Sequence, residues 1–376
     1  MREECYYDTY DKKENLHFDS KVVHGGLGYE PITGAVSFPI FQTATFRHKA
    51  FDVSTGYNYS RLQNPTRQEL ERTMAILEEG EEAFAFSSGQ AANMALFGLL
   101  NPGDHVILSD DIYGGTFRIC EQIFTPLGCT FTYLDMAELD KLEAAIRPET
   151  RMLFVETPTN PMMKVADIPA IAEIAKRHGL LLVVDNTFLT PYFQKPLTQG
   201  ADIVVHSGTK YLCGHNDVIA GIVVVRDRSL IDHFQLQLKS RGSGLAPFDS
   251  WLLLRGIKTL SLRMVKHDQN AKEVVEWLKK HPRIKKLYYA GTGGMISFEL
   301  DSVETAHRLL SDVKMILFAE SLGGTETLIT YPLTQTHESI PEEIRQKLGI
   351  NERFIRISIG IEDVRDIIAD LEQALQ

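Results

Sequence analysis

Between residues 83 and 225 the chain repeats one pattern, a short apolar run, a small-residue polar turn and a stretch of helical periodicity. The runs are AFAFSSG, HVILSD, CTFTYLD, RMLFVET, LLLVVDNT, ADIVVHSG and IAGIVVV. Strand-like runs alternating with helical patterns predict a mostly parallel, seven-stranded sheet wrapped by helices. The segment DIPAIAEIAKRHG shows how one such helix is written. Asp167 caps its start, Pro169 is tolerated in the first turn, and Gly179 ends it. Ile168, Ile171, Ala172 and Ala175 then share one face, which would cover the sheet.

After SGLAPFDSWLLLRG the pattern changes to a long helical stretch reaching about residue 280. KKLYYA, GGMISFEL, MILFAE and FIRISIG then look like strands, and DVRDIIADLEQAL like a closing helix. The expected organisation is an N-terminal arm and inter-subunit segment (1–60), a large α/β domain (61–245) and a smaller α+β C-terminal domain (246–376). Neither repeats nor a Pro/Ser-rich linker interrupts it.

A chain of 376 residues with 44% hydrophobic and 24% charged positions is globular by composition. Its formal net charge of −11 and lack of basic stripes argue against a nucleic-acid surface. The polar, acidic start lacks the apolar core of a signal peptide, and no run approaches the roughly 20 residues that cross a bilayer. Four scattered cysteines, Cys5, Cys120, Cys129 and Cys213, form no C-x-x-C pair. The expectation is a cytoplasmic protein without membrane contact, working on small molecules, its first twenty or so residues a mobile arm.

In open parallel sheets ligands collect outside the carboxyl ends of the strands. LLLVVD ends there in Asp185, and ADIVVHSGTK ends in Ser207, Thr209 and Lys210. FAFSSGQAANM places Ser88 and Gly89 where a helix begins, and backbone N–H groups at a helix start suit a phosphate. An anion cradle, a carboxylate and an amine converge. Pyridoxal phosphate needs that set: a lysine for the Schiff base, a carboxylate against the pyridine nitrogen and a phosphate cup. Tyr113, in DIYGGT, can stack on the ring and handle protons. Singly each feature has a plainer reading; Asp185 can be a helix cap and Tyr113 a packing aromatic. His206, Cys213 and His215 match no zinc spacing, so no metal is expected, and no G-x-G-x-x-G follows a strand.

Taken together, YSRLQNPT, FSSGQAA, DIYGGT, ETPTNP, VVDNTF, HSGTKYLCGHND, ESLGGTETL and RISIGIED resemble, in order, the Cys/Met-metabolism group of fold-type I (aspartate aminotransferase-like) pyridoxal-phosphate enzymes. That group includes cystathionine synthases, cystathionine lyases and O-acylhomoserine thiolyases. The resemblance implies that Lys210 is the Schiff-base lysine and proton shuttle, that Asp185 holds the pyridine nitrogen and that Tyr113 stacks on the ring. Gly89 and Gln90 through their backbone, and Ser207 and Thr209 through hydroxyls, would bind the phosphate. Tyr59 and Arg61 would reach the phosphate of a neighbouring subunit's cofactor. Asn160 would contact cofactor or substrate carboxylate, which Ser321 and Arg356 would clamp. The shared sites imply a homotetramer of two catalytic dimers.

Within the group, Glu320 matches the acidic residue common in γ-acting members, placed to meet a distal ammonium. The abrupt LYYAGTGGMISFEL resembles the shortened form of a subset of bacterial cystathionine γ-synthases and O-acetylhomoserine thiolyases. The expected activity is therefore γ-replacement on an O-acylhomoserine by cysteine or sulfide, with cystathionine β- or γ-lyase as the alternative and a non-enzymatic cofactor-binding regulator as a more distant one. Three positions depart from the group: Gln90 for a frequent methionine, Cys213 for a frequent glycine, and Gly115 for the cysteine of methionine γ-lyases. Cys213 is expected to be a packed thiol.

Overall fold

In the computed structural model, residues 15–338 and 340–376 are described. The earlier part of the expected arm, with Cys5, lies outside them. Seven strands, β1 (Glu82–Phe86), β2 (His105–Ser109), β3 (Thr130–Leu134), β4 (Thr150–Glu156), β5 (Leu181–Asp185), β6 (Ile203–Ser207) and β7 (Gly221–Val225), form one sheet in the order β1-β7-β6-β5-β4-β2-β3. Only β7 runs antiparallel to its neighbours. Alternate residues feed two apolar layers: Leu153, Val155, Leu182, Val184, Val204 and Val224 face one. Met152, Phe154, Val183, Val205 and Val223 face the other. Helices cover both faces, so the central strands are apolar on both sides instead of alternating with polar residues.

The covering helix Ile168–His178 has the expected ends. Asp167 accepts from the N–H of Ala170, and Gly179 closes it in the left-handed region. Ile168, Ile171, Ile174 and Ala175 are its buried face, and Ala172 is half-buried at the margin.

The second sheet comprises β8 (Ile284–Tyr288), β9 (Met295–Leu300), β10 (Leu317–Phe318), β11 (Leu328–Thr330) and β12 (Phe354–Ser358), ordered β10-β11-β12-β9-β8. MILFAE supplies only two edge residues, both exposed, because β11, in the segment ETLIT, takes the inner place beside β12. The expected long helical stretch is two helices, Pro247–Ile257 and Leu260–Leu278, parted at Lys258–Thr259. The longer one joins both bodies: Leu260 and Met264 pack into the first sheet's core, and Ala271, Val274, Val275 and Leu278 into the second's.

Candidate active site

The carboxyl ends of β1, β4, β5 and β6 open on one side of the large sheet, and β12 of the second sheet closes over them. Between them lies a cavity of about 250 Å³. Gly89, Gln90, Tyr113, Asn160 and Asp185 line it, and so do Ser207, Thr209, Lys210, Glu320, Ser321 and Arg356. Eleven of the thirteen residues singled out from sequence thus share one space. The other two, Tyr59 and Arg61, are exposed, stand outside this chain's own cavity and lie against each other, guanidinium to ring centroid 5.5 Å.

The floor is built from strand ends. Asp185 terminates β5, and its Oδ1 accepts from the N–H and hydroxyl of Thr187 at 3.0 and 2.6 Å. Beside it in register, Glu156 terminates β4 and accepts from the backbone N–H of Tyr113 at 2.9 Å. Burial, then the charge of Asp185, pushes the Glu156 carboxyl well above the usual range. Asp185 is also raised by burial, but the Thr187 hydrogen bonds oppose the rise. Glu156 therefore holds a proton before Asp185 does. Glu156 lies in the motif ETPTNP but is not among the residues singled out from sequence, although the signal that picks out Asp185, a charged residue at a strand's carboxyl end, picks it out equally.

One wall is the start of the helix Gly89–Phe97. Ser88 caps it by accepting from the N–H of Ala91 at 3.0 Å, leaving the N–H groups of Gly89 and Gln90 without intrahelical partners. A Cβ on Gly89 would lie 3.2 Å from Cβ of Ser207, so glycine lets the helix start approach the end of β6. Thr209 exchanges hydrogen bonds with Ala220, its hydroxyl accepting from the N–H at 3.0 Å. Tyr113 precedes the helix Gly114–Ile119, its ring reaching the cavity half-exposed. A Cβ on Gly115 would come within 2.5 Å of that ring and 2.7 Å of the Gln90 amide, which explains why glycine rather than cysteine stands there.

The opposite wall carries the cations. The Lys210 ammonium donates to Oγ of Ser321 at 2.8 Å. Burial, then Arg356, lowers its pKa to about 8, while Glu320 favours its charge. Arg356 is buried with no carboxylate within ion-pair distance among the described residues; it donates to Oδ1 of Asn160 at 2.9 Å, the Ser321 carbonyl at 2.9 Å and the Thr330 hydroxyl at 3.1 Å. Its Nε has no partner, and burial lowers its pKa to about 10. Ser321 thus bonds both cations, from a backbone at φ +85°, a conformation that non-glycine residues keep only when their surroundings impose it. Glu320 is exposed at the rim, without an ion-pair partner among the described residues.

Cys213 is buried, its thiol donating to Asp217 at 3.0 Å and pushed up to about 11 by burial. His206 is bound through Nε2 to the buried Glu78 at 2.6 Å, and His215 through Nδ1 to the Cys213 carbonyl.

These groups fit pyridoxal phosphate: unpartnered helix-start N–H groups for the phosphate, a strand-end carboxylate for the pyridine nitrogen, an aromatic face, and an amine with a lowered pKa. The family model described as Cys/Met metabolism PLP-dependent enzyme matches residues 19–376. A cystathionine gamma-synthase/O-acetylhomoserine (thiol)-lyase of Bacillus subtilis is 50% identical over 96% of each chain. A cystathionine gamma-lyase of the same organism is 48% identical over 94% of this chain and 98% of its own. The crystal structure of cystathionine gamma-lyase from Lactobacillus plantarum complexed with L-serine superposes with a TM-score of 0.93 at 43% identity, over 96% of this chain and 98% of that one. Fold, cavity and sequence together place the chain in the Cys/Met metabolism family of PLP-dependent enzymes.

Proposed function

We propose that the protein catalyses γ-replacement on an O-acylhomoserine by cysteine or sulfide, forming cystathionine or homocysteine. The observation that carries the γ-specific reading is Glu320, a rim carboxylate free of ion-pair partners among the described residues and next to the residue that tethers Lys210. From there it can receive the distal ammonium of a cystathionine-sized molecule. The similarity to the synthase/thiol-lyase supports replacement, and that to the γ-lyase supports a second reading, elimination from cystathionine.

In either reading the residues have the same tasks. Bound pyridoxal phosphate supplies a protonated ring that accepts the electron pair left at the substrate's α-carbon. The N–H groups of Gly89 and Gln90, with the hydroxyls of Ser207 and Thr209, hold its phosphate. Asp185 stays ionised to keep the ring nitrogen protonated, helped by the proton on Glu156, and Tyr113 covers the ring. Lys210 takes the α-proton on Nζ, guided by Ser321. Arg356 binds the substrate carboxylate through its fork, with Asn160 holding the guanidinium in plane. Lys210→Ala is expected to abolish turnover.

The working unit we infer is a cytoplasmic homotetramer of two catalytic dimers in which Tyr59 and Arg61 complete a neighbour's phosphate site. Their absence from the lining of this chain's own cavity supports sharing, and the free thiols Cys120, Cys129 and Cys213 suit a reducing compartment. Residues 61–245 form the cofactor-holding part and 246–376 the part that carries the clamp, with 1–60 between subunits.

The test is product analysis by mass spectrometry, with holo-protein, O-acetyl- or O-succinylhomoserine and cysteine in one tube and cystathionine alone in another. Cystathionine formed from either ester establishes replacement and names the acyl donor. Inert esters, with cystathionine broken to ammonia and an oxo acid, establish the lyase instead.

A further inference from the structure

Among the buried polar side chains of the helix Leu260–Leu278, Arg263, His267 and Asn270 are spaced so that they fall on one face. Each donates to backbone carbonyls; apart from that of Gly256 in the preceding helix, the carbonyls belong to two segments. Arg263 donates to Tyr211 at 2.6 Å, Leu212 at 3.3 Å and Gly256 at 2.8 Å. His267 donates through Nδ1 to Ile359 at 2.7 Å. Asn270 donates to Gly360 at 3.0 Å and Glu362 at 2.8 Å. The first segment directly follows Lys210; the second follows Arg356 by three residues.

The packing around this face leaves no slack. Gly214 stands at φ +73°, and a Cβ there would lie 2.1 Å from Nη1 of Arg263. A Cβ on Gly294 would lie 2.7 Å from the Tyr211 hydroxyl and 3.2 Å from the Ile359 carbonyl. The Tyr211 ring meets His267 edge-on at 5.1 Å. Arg263 has no carboxylate within ion-pair distance among the described residues, and burial lowers its pKa to about 10. Burying an unneutralised guanidinium is a poor way to gain stability, since well-packed apolar side chains often do as well or better.

We propose that Arg263, His267 and Asn270 are positioning residues that set the separation of Lys210 and Arg356, and so hold the substrate's α-carbon in reach of the amine once its carboxylate is clamped. The proposal rests on the roles given above to Lys210 and Arg356. It assigns the two ends of the helix face different tasks: Arg263 fixes the lysine turn, and Asn270 the segment behind the clamp. A face that merely satisfied buried carbonyls would have one task, stability.

The test uses holo-protein variants Arg263→Lys and Asn270→Ala, with L-cystathionine as the probe because both functional readings bind it. Three quantities are read: affinity by rapid-mixing absorbance titration, the pH midpoint of the bound cofactor's absorbance, and the melting temperature. Asn270→Ala is expected to weaken cystathionine about tenfold or more while leaving the absorbance midpoint unchanged. Arg263→Lys is expected to move that midpoint by about half a unit or more. Where Arg263→Lys does not fold, Gly214→Ala, which displaces the guanidinium without removing it, is read the same way. Variants that only melt earlier, with wild-type affinity and midpoint, overturn the proposal. Lys210→Ala and Arg356→Lys run alongside: if both bind and absorb as wild type, the site reading itself fails and the proposal falls with it.

Discussion

Glu156 and Asp185 lie in register on adjacent strands at the cavity floor, where the burial of Glu156 and the charge of Asp185 beside it together favour a proton on Glu156. Glutamine at 156 keeps an acceptor for the Tyr113 N–H and carries no charge, so Glu156→Gln should stay within about 1 kcal/mol of wild type in urea unfolding, whereas Glu156→Ala strands that donor at about 1–3 kcal/mol. Equal losses from both would mean that Glu156 is charged in the native protein. Lys210 gives a pH dependence of defined sign. Burial and Arg356 disfavour its cation, bringing the pKa from 10.5 to about 8, so the neutral amine, the form that reacts with an aldehyde, becomes abundant well below its usual range. Stopped-flow absorbance of apoprotein mixed with pyridoxal phosphate should show the incorporation rate rising with pH and levelling above about 8. Because Glu320 favours the cation, Glu320→Gln should move that midpoint down; an upward move would contradict the arrangement.

A single contact shows how elements build the proposed phosphate cradle. A Cβ on Gly221, which begins β7, would lie 2.1 Å from the Ser88 carbonyl, so Gly221→Ala must push back the turn before the helix Gly89–Phe97. Equilibrium dialysis should show cofactor affinity reduced about tenfold or more, with modest loss of melting temperature. Elements of this kind were legible where local chemistry decides them. Each of the seven large-sheet strands was written as an apolar run, all but β7 with polar residues at the run's carboxyl end, and Asp167 and Gly179 wrote their helix's ends. Where pairing partners decide, the pattern was weaker. β11 is three residues long and β10 two, too short for any periodicity, and their order depends on β12 coming from some thirty residues further on. The site was legible in its strand-end residues and family motifs. Glu156 and Arg263 were not singled out, because their importance lies in neighbours distant in the chain, Asp185 and the carbonyls after Lys210.

At the scale of the molecule, the placement of Tyr59 and Arg61 outside this chain's own cavity makes a subunit-mixing prediction. Arg61→Ala and Lys210→Ala chains should each be inactive alone, yet a refolded equimolar mixture should regain about a quarter of wild-type activity, since half the dimers are mixed and each has one intact site. No recovery would place Arg61 in its own chain's site. The helix Leu260–Leu278, shared between two apolar cores, has a different consequence, for recombination between relatives. A chimera joined at residue 245 would graft a foreign Leu253, Ile257, Leu260 and Met264 onto the first sheet's core, while one joined in the turn between Leu278 and Ile284 would leave that core intact. That second junction instead sets Ala271, Val274, Val275 and Leu278 against a foreign second sheet, so each junction breaks one of the two cores, and soluble yield across a set of crossover points should peak where the incoming part matches the helix residues it must pack against.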